Sequence, residues 1–218
     1  MNKIFIGHND KMPMISDVFA YSIKKYASKP VDIHLLKLSE LNFNRPWEKY
    51  QTTPFSFSRF LVPFLCEYNG LALFADDDFL CLPGCDINEL FNFDMTNYAL
   101  RVVKHNHVPT AVTKMDGQPQ TVYPRKNWSS LMLMRCDLLK CWTKEAVETQ
   151  SGSWLHQFKS ISDELIGDLP STWNKLDAIE PDTKMVHYTS GVPAFSACAD
   201  RPFSLQWYKA YYDMMNNR

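Results

Sequence analysis

The stretch Leu71-Ala-Leu-Phe-Ala-Asp76-Asp77-Asp78-Phe79-Leu-Cys-Leu82 constrains the fold more than any other part of the chain. An apolar run rich in Leu and Phe, bounded by Gly70 and by Pro83-Gly84, suits a strand covered on both faces. Three consecutive carboxylates interrupt it. Charges at the end of a buried strand are costly unless a cation or a set of donors meets them. On an extended chain Asp76 and Asp78 point to the same side. Two carboxylates so placed make a seat for a hard divalent cation such as Mg2+ or Mn2+. The alternative is a solvated acidic turn, since short acidic motifs recur by chance. The hydrophobic frame on both sides favours the metal.

A chain of 218 residues can bury one substantial core. A formal net charge of -1 gives no reason to expect nucleic acid as a partner. Lys3 to Gly7 reads as a first strand, without the longer apolar core of a signal peptide. No run approaches the roughly 18 apolar residues of a membrane span. The chain therefore reads as cytoplasmic, or as a domain of a larger protein. Cysteines stand at 66, 81, 85, 136, 141 and 198, and neither Cys81/Cys85 nor Cys136/Cys141 has the spacing of a zinc knuckle. Buried free thiols are the expectation.

Strand-like and helix-like segments alternate. Pro13 to Ser28 sets Met14, Ile15, Val18, Phe19, Ser22, Ile23 and Tyr26 on one helical face, with Pro13 in the first turn. Val31 to Leu35 alternates as a strand, Ser56 to Tyr68 reads as a helix bent or restarted at Pro63, and Leu71 to Ala75 is the strand leading into the triplet. Asp86 suits the cap of a short helix reaching Phe91, and Tyr98 to Val103 reads as a strand. Asp116-Gly117 signals a hairpin turn, Ser129 to Arg135 an apolar strand, and Asp137 the cap of a helix running to Thr149. Lys184 to Tyr188 and Leu205 to Met215 complete the pattern as a late strand and a closing helix. One α/β domain follows, with the triplet at the carboxyl end of a central strand, where open α/β sheets bind ligands.

Several polar groups interrupt apolar surroundings. His187 ends the late strand, as a hydrogen-bonded core residue or, if that strand reaches the triplet, as a further metal ligand. Ser162-Asp163-Glu164 reads first as a routine helix start with Ser162 as cap. Arg59 lies among aromatics, either snorkelling to the surface or facing the triplet and a phosphate. Arg125-Lys126-Asn127-Trp128 suits an anionic or sugar-like ligand or a plain surface loop. His105 and His107 share a side of an extended segment but lack an acidic or thiol partner. No Gly-rich phosphate loop and no nucleophile elbow occurs.

In order, these pieces resemble the glycogenin-like nucleotide-sugar glycosyltransferases of family 8. Ile4-Phe-Ile-Gly-His8-Asn9-Asp10 is similar to the family's first strand and nucleotide-facing turn, and Tyr21-Ser22-Ile23 to its helix signature. Arg59 precedes Phe74-Ala-Asp76-Asp77-Asp78 as the family's basic residue precedes its DxD motif. Trp128-Ser129-Ser130-Leu-Met-Leu133 resembles an "NSGVML" strand, Asp163-Glu164 a "DQ" pair, Leu169-Pro-Ser-Thr-Trp173-Asn174 an "LP..wN" pattern, and His187-Tyr188-Thr189-Ser190-Gly191 an "HytG" segment.

The resemblance implies a GT-A fold: a mixed central sheet flanked by helices in one domain over residues 1–218. Its nucleotide-binding part would cover about 1–104 and its acceptor side about 105–218. It implies that Asp76, Asp78 and His187 hold Mn2+ or Mg2+ against the diphosphate of a nucleotide-sugar donor, a UDP-sugar in the first instance. His8, Asn9 and Asp10 would border the base, with Asp77, Trp128 and Ser129 also at the donor. Arg59 would pair with the donor, while Asp163 and Glu164 would serve the sugar or the acceptor, a glycan or lipid-linked hydroxyl. No nucleic acid and no transmembrane segment belong to this picture.

Departures from the pattern accompany the likeness. "NSG" is replaced by Trp128-Ser129-Ser130, and "DQ" by Asp163-Glu164. Val192-Pro193-Ala194-Phe195 stands where a phosphate-binding lysine is usual, leaving Arg125, Lys126 or Arg201 as substitutes. Two other functions compete: a DxD-type phosphatase, and a noncatalytic carbohydrate-binding protein. A phosphatase would carry its motif nearer the N-terminus, and a degraded transferase would more readily have lost Asp76, Asp78 or His187.

Overall fold

The computed structural model describes residues 1–49, 51–106 and 124–217. Asp116-Gly117 and His107 lie outside the described residues. Among these residues the strands are β1 (Asn2–Gly7), β2 (Val31–Leu36), β3 (Leu71–Ala75), β4 (Phe79–Cys81), β5 (Leu100–Val102), β6 (Leu131–Arg135), β7 (Ile166–Asp168), β8 (Lys175–Leu176) and β9 (Met185–His187). The α-helices are α1 (Pro13–Tyr26), α2 (Phe55–Ser58), α3 (Val62–Leu65), α4 (Lys144–Thr149), α5 (Gly152–His156) and α6 (Ser204–Asn216).

Six strands form the main sheet in the order β2-β1-β3-β6-β5-β7. β6 runs antiparallel to β3 and to β5, while β1 pairs in parallel with β2 and β3, and β5 with β7. The sheet is therefore mixed, as expected. Consecutive side chains alternate between two cores. Phe5, Ala72, Phe74, Leu100, Val102, Met132 and Met134 lie on one face. Ile4, Ile6, Leu73, Ala75, Leu131 and Leu133 lie on the other. Burial on both faces explains why these strands read as apolar runs.

One correction bears on the site. The run from Leu71 to Leu82 is two strands in two sheets. β3 belongs to the main sheet, whereas β4 joins a small sheet of order β4-β9-β8. The three aspartates are the turn between them. Charge clusters where the chain leaves one sheet for the other. A third core holds the small sheet against α1 and α6, through Ile15, Val18, Leu80, Val186, Trp207 and Met214.

Other boundaries also move. Ser56 to Tyr68 is broken into α2, a 3-10 turn Arg59–Leu61 and α3, with Pro63 in the first turn of α3. In a first turn the N–H that proline lacks would have no helical partner, so the restart costs no hydrogen bond. Asp86 does cap, accepting from the Asn88 amide. Asp137 does not: it pairs with Arg135 at 3.2 Å, and Thr143 caps the short α4 instead. Ser162 makes no side-chain cap, and Asp163–Leu165 is a single 3-10 turn. The strand placed at Ser129 begins at Leu131, because Trp128–Ser130 form a 3-10 turn behind a left-handed Asn127. All six cysteines are free; Cys66, Cys81, Cys85, Cys136 and Cys198 are buried as expected, whereas Cys141 is exposed.

Candidate metal centre

Strand order sets the position of the site. β2 and β3 flank β1 on opposite sides, so the order reverses beside β1, and ligands of open α/β sheets bind at the carboxyl ends next to such a reversal. Those ends are Gly7-His8 after β1 and Asp76 after β3, with Ile6 and Ala75 in register. Backbone bonds then fix the triplet. The Asp76 amide donates to the Ser130 carbonyl at 2.9 Å, and the Tyr188 amide donates to the Asp78 carbonyl at 2.9 Å. Pairing of β4 with β9 sets Phe79 opposite His187 and brings the late histidine to the triplet.

Asp76, Asp78 and His187 each offer one ligand atom, and these atoms lie within 4.8 Å of one another. Two carboxylate oxygens and an imidazole nitrogen suit a hard to borderline divalent ion such as Mn2+ or Mg2+. The donor set fits the cation that the fold implies. Within this set the Asp78 carboxylate lies 3.1 Å from His187 Nε2. Phe79 stacks on the imidazole with ring centroids 4.2 Å apart. Burial pulls His187 toward its neutral form, but the carboxylates of Asp78, Asp76 and Asp177 outweigh it, and the net shift is upward.

Arg59 does face the triplet. Its Nη1 donates to the Ser129 carbonyl at 2.8 Å and pairs with Asp76 at 2.8 Å, while Nε donates to the Phe55 carbonyl at 3.2 Å. Asp77 is buried. Burial first, then the charges of Asp78 and Asp76, push its carboxyl well above the usual carboxylate range.

The remaining candidates have partners of their own. His8 is buried, with Nδ1 2.8 Å from the Ser16 hydroxyl and Nε2 3.3 Å from the exposed Asp10. Asn9 closes an Asx turn by accepting from the Lys11 amide at 3.1 Å. Ser129 is buried and lies 2.8 Å from His156 Nδ1. Trp128 donates through its indole to the His105 carbonyl at 3.0 Å, and the Arg125 guanidinium lies 5.3 Å from its ring. Asp163 and Glu164 are exposed, and the structure pairs Asp163 with Arg125 at 2.5 Å. Those two line a cavity of about 360 Å3 with Gln157 and Lys159. Arg125 is thus engaged by Asp163, and Arg201 is exposed.

Sequence reasoning missed the role of Asn174, fully buried behind His187. Its Oδ1 lies 2.9 Å from His187 Nδ1, and its Nδ2 donates to the Ser130 hydroxyl at 2.9 Å. The signal was an amide directly after the apolar Trp173, since a buried amide demands partners. Asp177 was also missed. It holds the loop after His187 by accepting from the hydroxyls of Thr189 at 2.5 Å and Ser190 at 2.9 Å.

No model of a protein family matches the chain. Solved glycosyltransferases share its fold. GlyE of Streptococcus pneumoniae superposes with a TM-score of 0.61 at 12% identity, over 100% of this chain and 63% of its own. The bifunctional glycosyltransferase WbbM in its apo form gives 0.55 at 15% identity, over 96% of this chain and 51% of its own. The chain thus spans about half to two thirds of those proteins. The galactosyltransferase LgtC, solved with donor and acceptor sugar analogues, gives 0.57 at 13% identity, over 97% of this chain and 95% of its own. The fold is the GT-A fold of glycosyltransferases. In sequence, Protein CDI of Arabidopsis thaliana is 42% identical over 219 aligned positions, 94% of this chain and 84% of that protein. The chain belongs to the family of Protein CDI.

Proposed function

We propose that this protein is a metal-dependent glycosyltransferase that moves a sugar from a nucleotide-sugar donor, a UDP-sugar, to a hydroxyl of a glycan or lipid-linked acceptor. The observation that carries the reading is the convergence of Asp76, Asp78 and His187 beside the strand-order reversal of a GT-A fold. LgtC, solved with donor and acceptor sugar analogues on the same fold, supports those partner classes.

Asp76, Asp78 and His187 would hold Mn2+ or Mg2+. When bound, such an ion offsets the charge that develops on the departing diphosphate and templates the donor. Arg59 holds Asp76 and adds a second positive charge at the same place. His8, Asn9 and Asp10 border the base at the end of β1, and Ser129 and Trp128 flank the donor from the turn before β6. Asp77, buried and with its carboxyl pushed upward, is suited to donate a hydrogen bond rather than to bind the cation. Asp163 and Glu164, with Arg125 at the neighbouring cavity, serve the acceptor side. Attack from the donor's front face, with retained configuration, follows from the family resemblance. Free cysteines suit a reducing compartment such as the cytoplasm. Among the described residues no helix is long and apolar enough to cross a membrane.

A screen of UDP-sugars for release of UDP tests the reading. Release that needs Mn2+, stops in EDTA and is lost in Asp76→Ala supports it. Undiminished release in EDTA or in Asp76→Ala contradicts it.

A further inference from the structure

A row of hydrogen bonds, buried from Ser130 inward, runs behind His187, and its direction is set from the outer end. The Ser130 hydroxyl lies 2.6 Å from the Asn127 carbonyl, which can only accept. Ser130 therefore spends its single proton there and can only accept from Asn174 at 2.9 Å. That requirement turns the Asn174 amide so that its NH2 faces Ser130 and its carbonyl oxygen faces His187. An amide oxygen accepts, so His187 Nδ1, at 2.9 Å, must carry a proton. The opposite nitrogen, Nε2, is the one that faces Asp78 at 3.1 Å.

From Ser130 inward the row is sealed from solvent, while Asn127 is half-buried. Asn174 is 0%, Ser130 2% and His187 3% exposed, so water offers no easy substitute for a lost partner there. Asn127 owes its place in the row to a left-handed backbone, φ 64°, which asparagine tolerates better than most residues.

We propose that Asn174, seated on Ser130, is a positioning residue that holds His187 with its proton on Nδ1 and so reserves Nε2 for the cation. The proposal rests on the metal reading above and deepens it. Partners behind a ligating histidine commonly set its tautomer and ring orientation, and their loss weakens metal binding about 10–100-fold. Asn174 touches no substrate; it acts through His187.

Two readouts test this, on the full chain. Nitrogen-15 NMR of the metal-free protein, at alkaline pH where the imidazole is neutral, reports which nitrogen of His187 carries the proton. Electron paramagnetic resonance of added Mn2+ alone reports affinity. The wild type shows the Nδ1–H form. Asn174→Leu, similar in volume but without an acceptor, shifts the proton to Nε2 beside Asp78 and weakens Mn2+ about 10–100-fold. Asn174→Asp keeps an acceptor for Nδ1–H and recovers most of both properties. If the leucine variant does not fold, Ser130→Ala supplies the smaller cut: it frees the Asn174 amide to turn over and yields a mixture of the two forms. An Nε2–H wild type, or variants that keep both the Nδ1–H form and wild-type Mn2+ affinity, would overturn the proposal. Failure of the wild type to bind Mn2+ would instead overturn the metal reading and the reserved role of Nε2, while the tautomer result would still decide what Asn174 does.

Discussion

Replacing Arg59 by methionine exposes the electrostatic logic of the centre most clearly. The guanidinium is buried, at 6% exposure, and is held by the Phe55 and Ser129 carbonyls and the Asp76 carboxylate. Methionine fills much of its volume but leaves the carboxylate and two carbonyls without that partner. Breaking a buried pair from one side costs about 3–5 kcal/mol, because the remaining charge stays desolvated. For a domain of this size that corresponds to about 6–20 °C in melting temperature. A divalent cation held by Asp76 supplies replacement charge. The loss in Arg59→Met should therefore be largest in EDTA and shrink in saturating Mn2+, by about 1.4 kcal/mol for each tenfold by which the variant binds the ion more tightly than wild type. Scanning calorimetry of wild type and variant in both buffers measures the difference. A loss below about 1 kcal/mol in EDTA, the range of an exposed pair, would refute the account of Arg59 as the internal counter-ion of Asp76. So would an equal loss in both buffers.

Three further outcomes follow from the same geometry. His187 is shifted above its ordinary 6.5, so its ion pair with Asp78 stabilises the metal-free fold fully below 6.5 and is lost as pH rises through the folded value. A cation and the Nε2 proton compete, so Mn2+ affinity should climb across that same window; a flat affinity between about pH 6 and 9 would argue against it. His156 goes the other way, lowered from 6.5 to about 3 by burial and then by Arg59 and Arg45. Its contribution is present above 6.5 and is lost as pH falls toward 3, by at most about 1.4 kcal/mol per pH unit, the slope for a single proton. Urea unfolding of His156→Phe should lose less stability than wild type between neutral and mildly acidic pH, and equal losses would count against burial of the neutral ring. At Gly7 an added Cβ would stand 2.5 Å from the Phe55 ring. Gly7→Ala should cost about 1–3 kcal/mol in thermal unfolding, and an unchanged melt would show that Phe55 moves aside freely.

Much of the fold was legible because its strands are short, apolar and buried. Leu71–Ala75 was read at its observed limits, since Gly70 and the aspartates mark both ends. Helix α1 was equally plain, from its apolar stripe and from Pro13 in the first turn. Misreadings fell where tertiary bonds override local signals. Asp137 has the chemistry of a cap but is claimed by Arg135, and Phe79 looks like a continuation of β3 but pairs with β9. At the site, the spacing of Asp76 and Asp78 was readable, and so was the promise of Arg59 and His187. Their meeting was not, because it depends on Phe79 lying opposite His187 across a sheet that periodicity cannot assemble. Asn174 was hidden for the same reason: only the folded chain sets it between Ser130 and His187.

Calorimetry of UDP binding, in Mn2+ and then in EDTA, on wild type and on Asp78→Ala, tests the central claim most directly. The account predicts binding that requires both the metal and Asp78, with the variant still folded by circular dichroism. UDP binding of equal strength in EDTA, or in Asp78→Ala with Mn2+ present, would contradict a metal centre built from Asp76, Asp78 and His187.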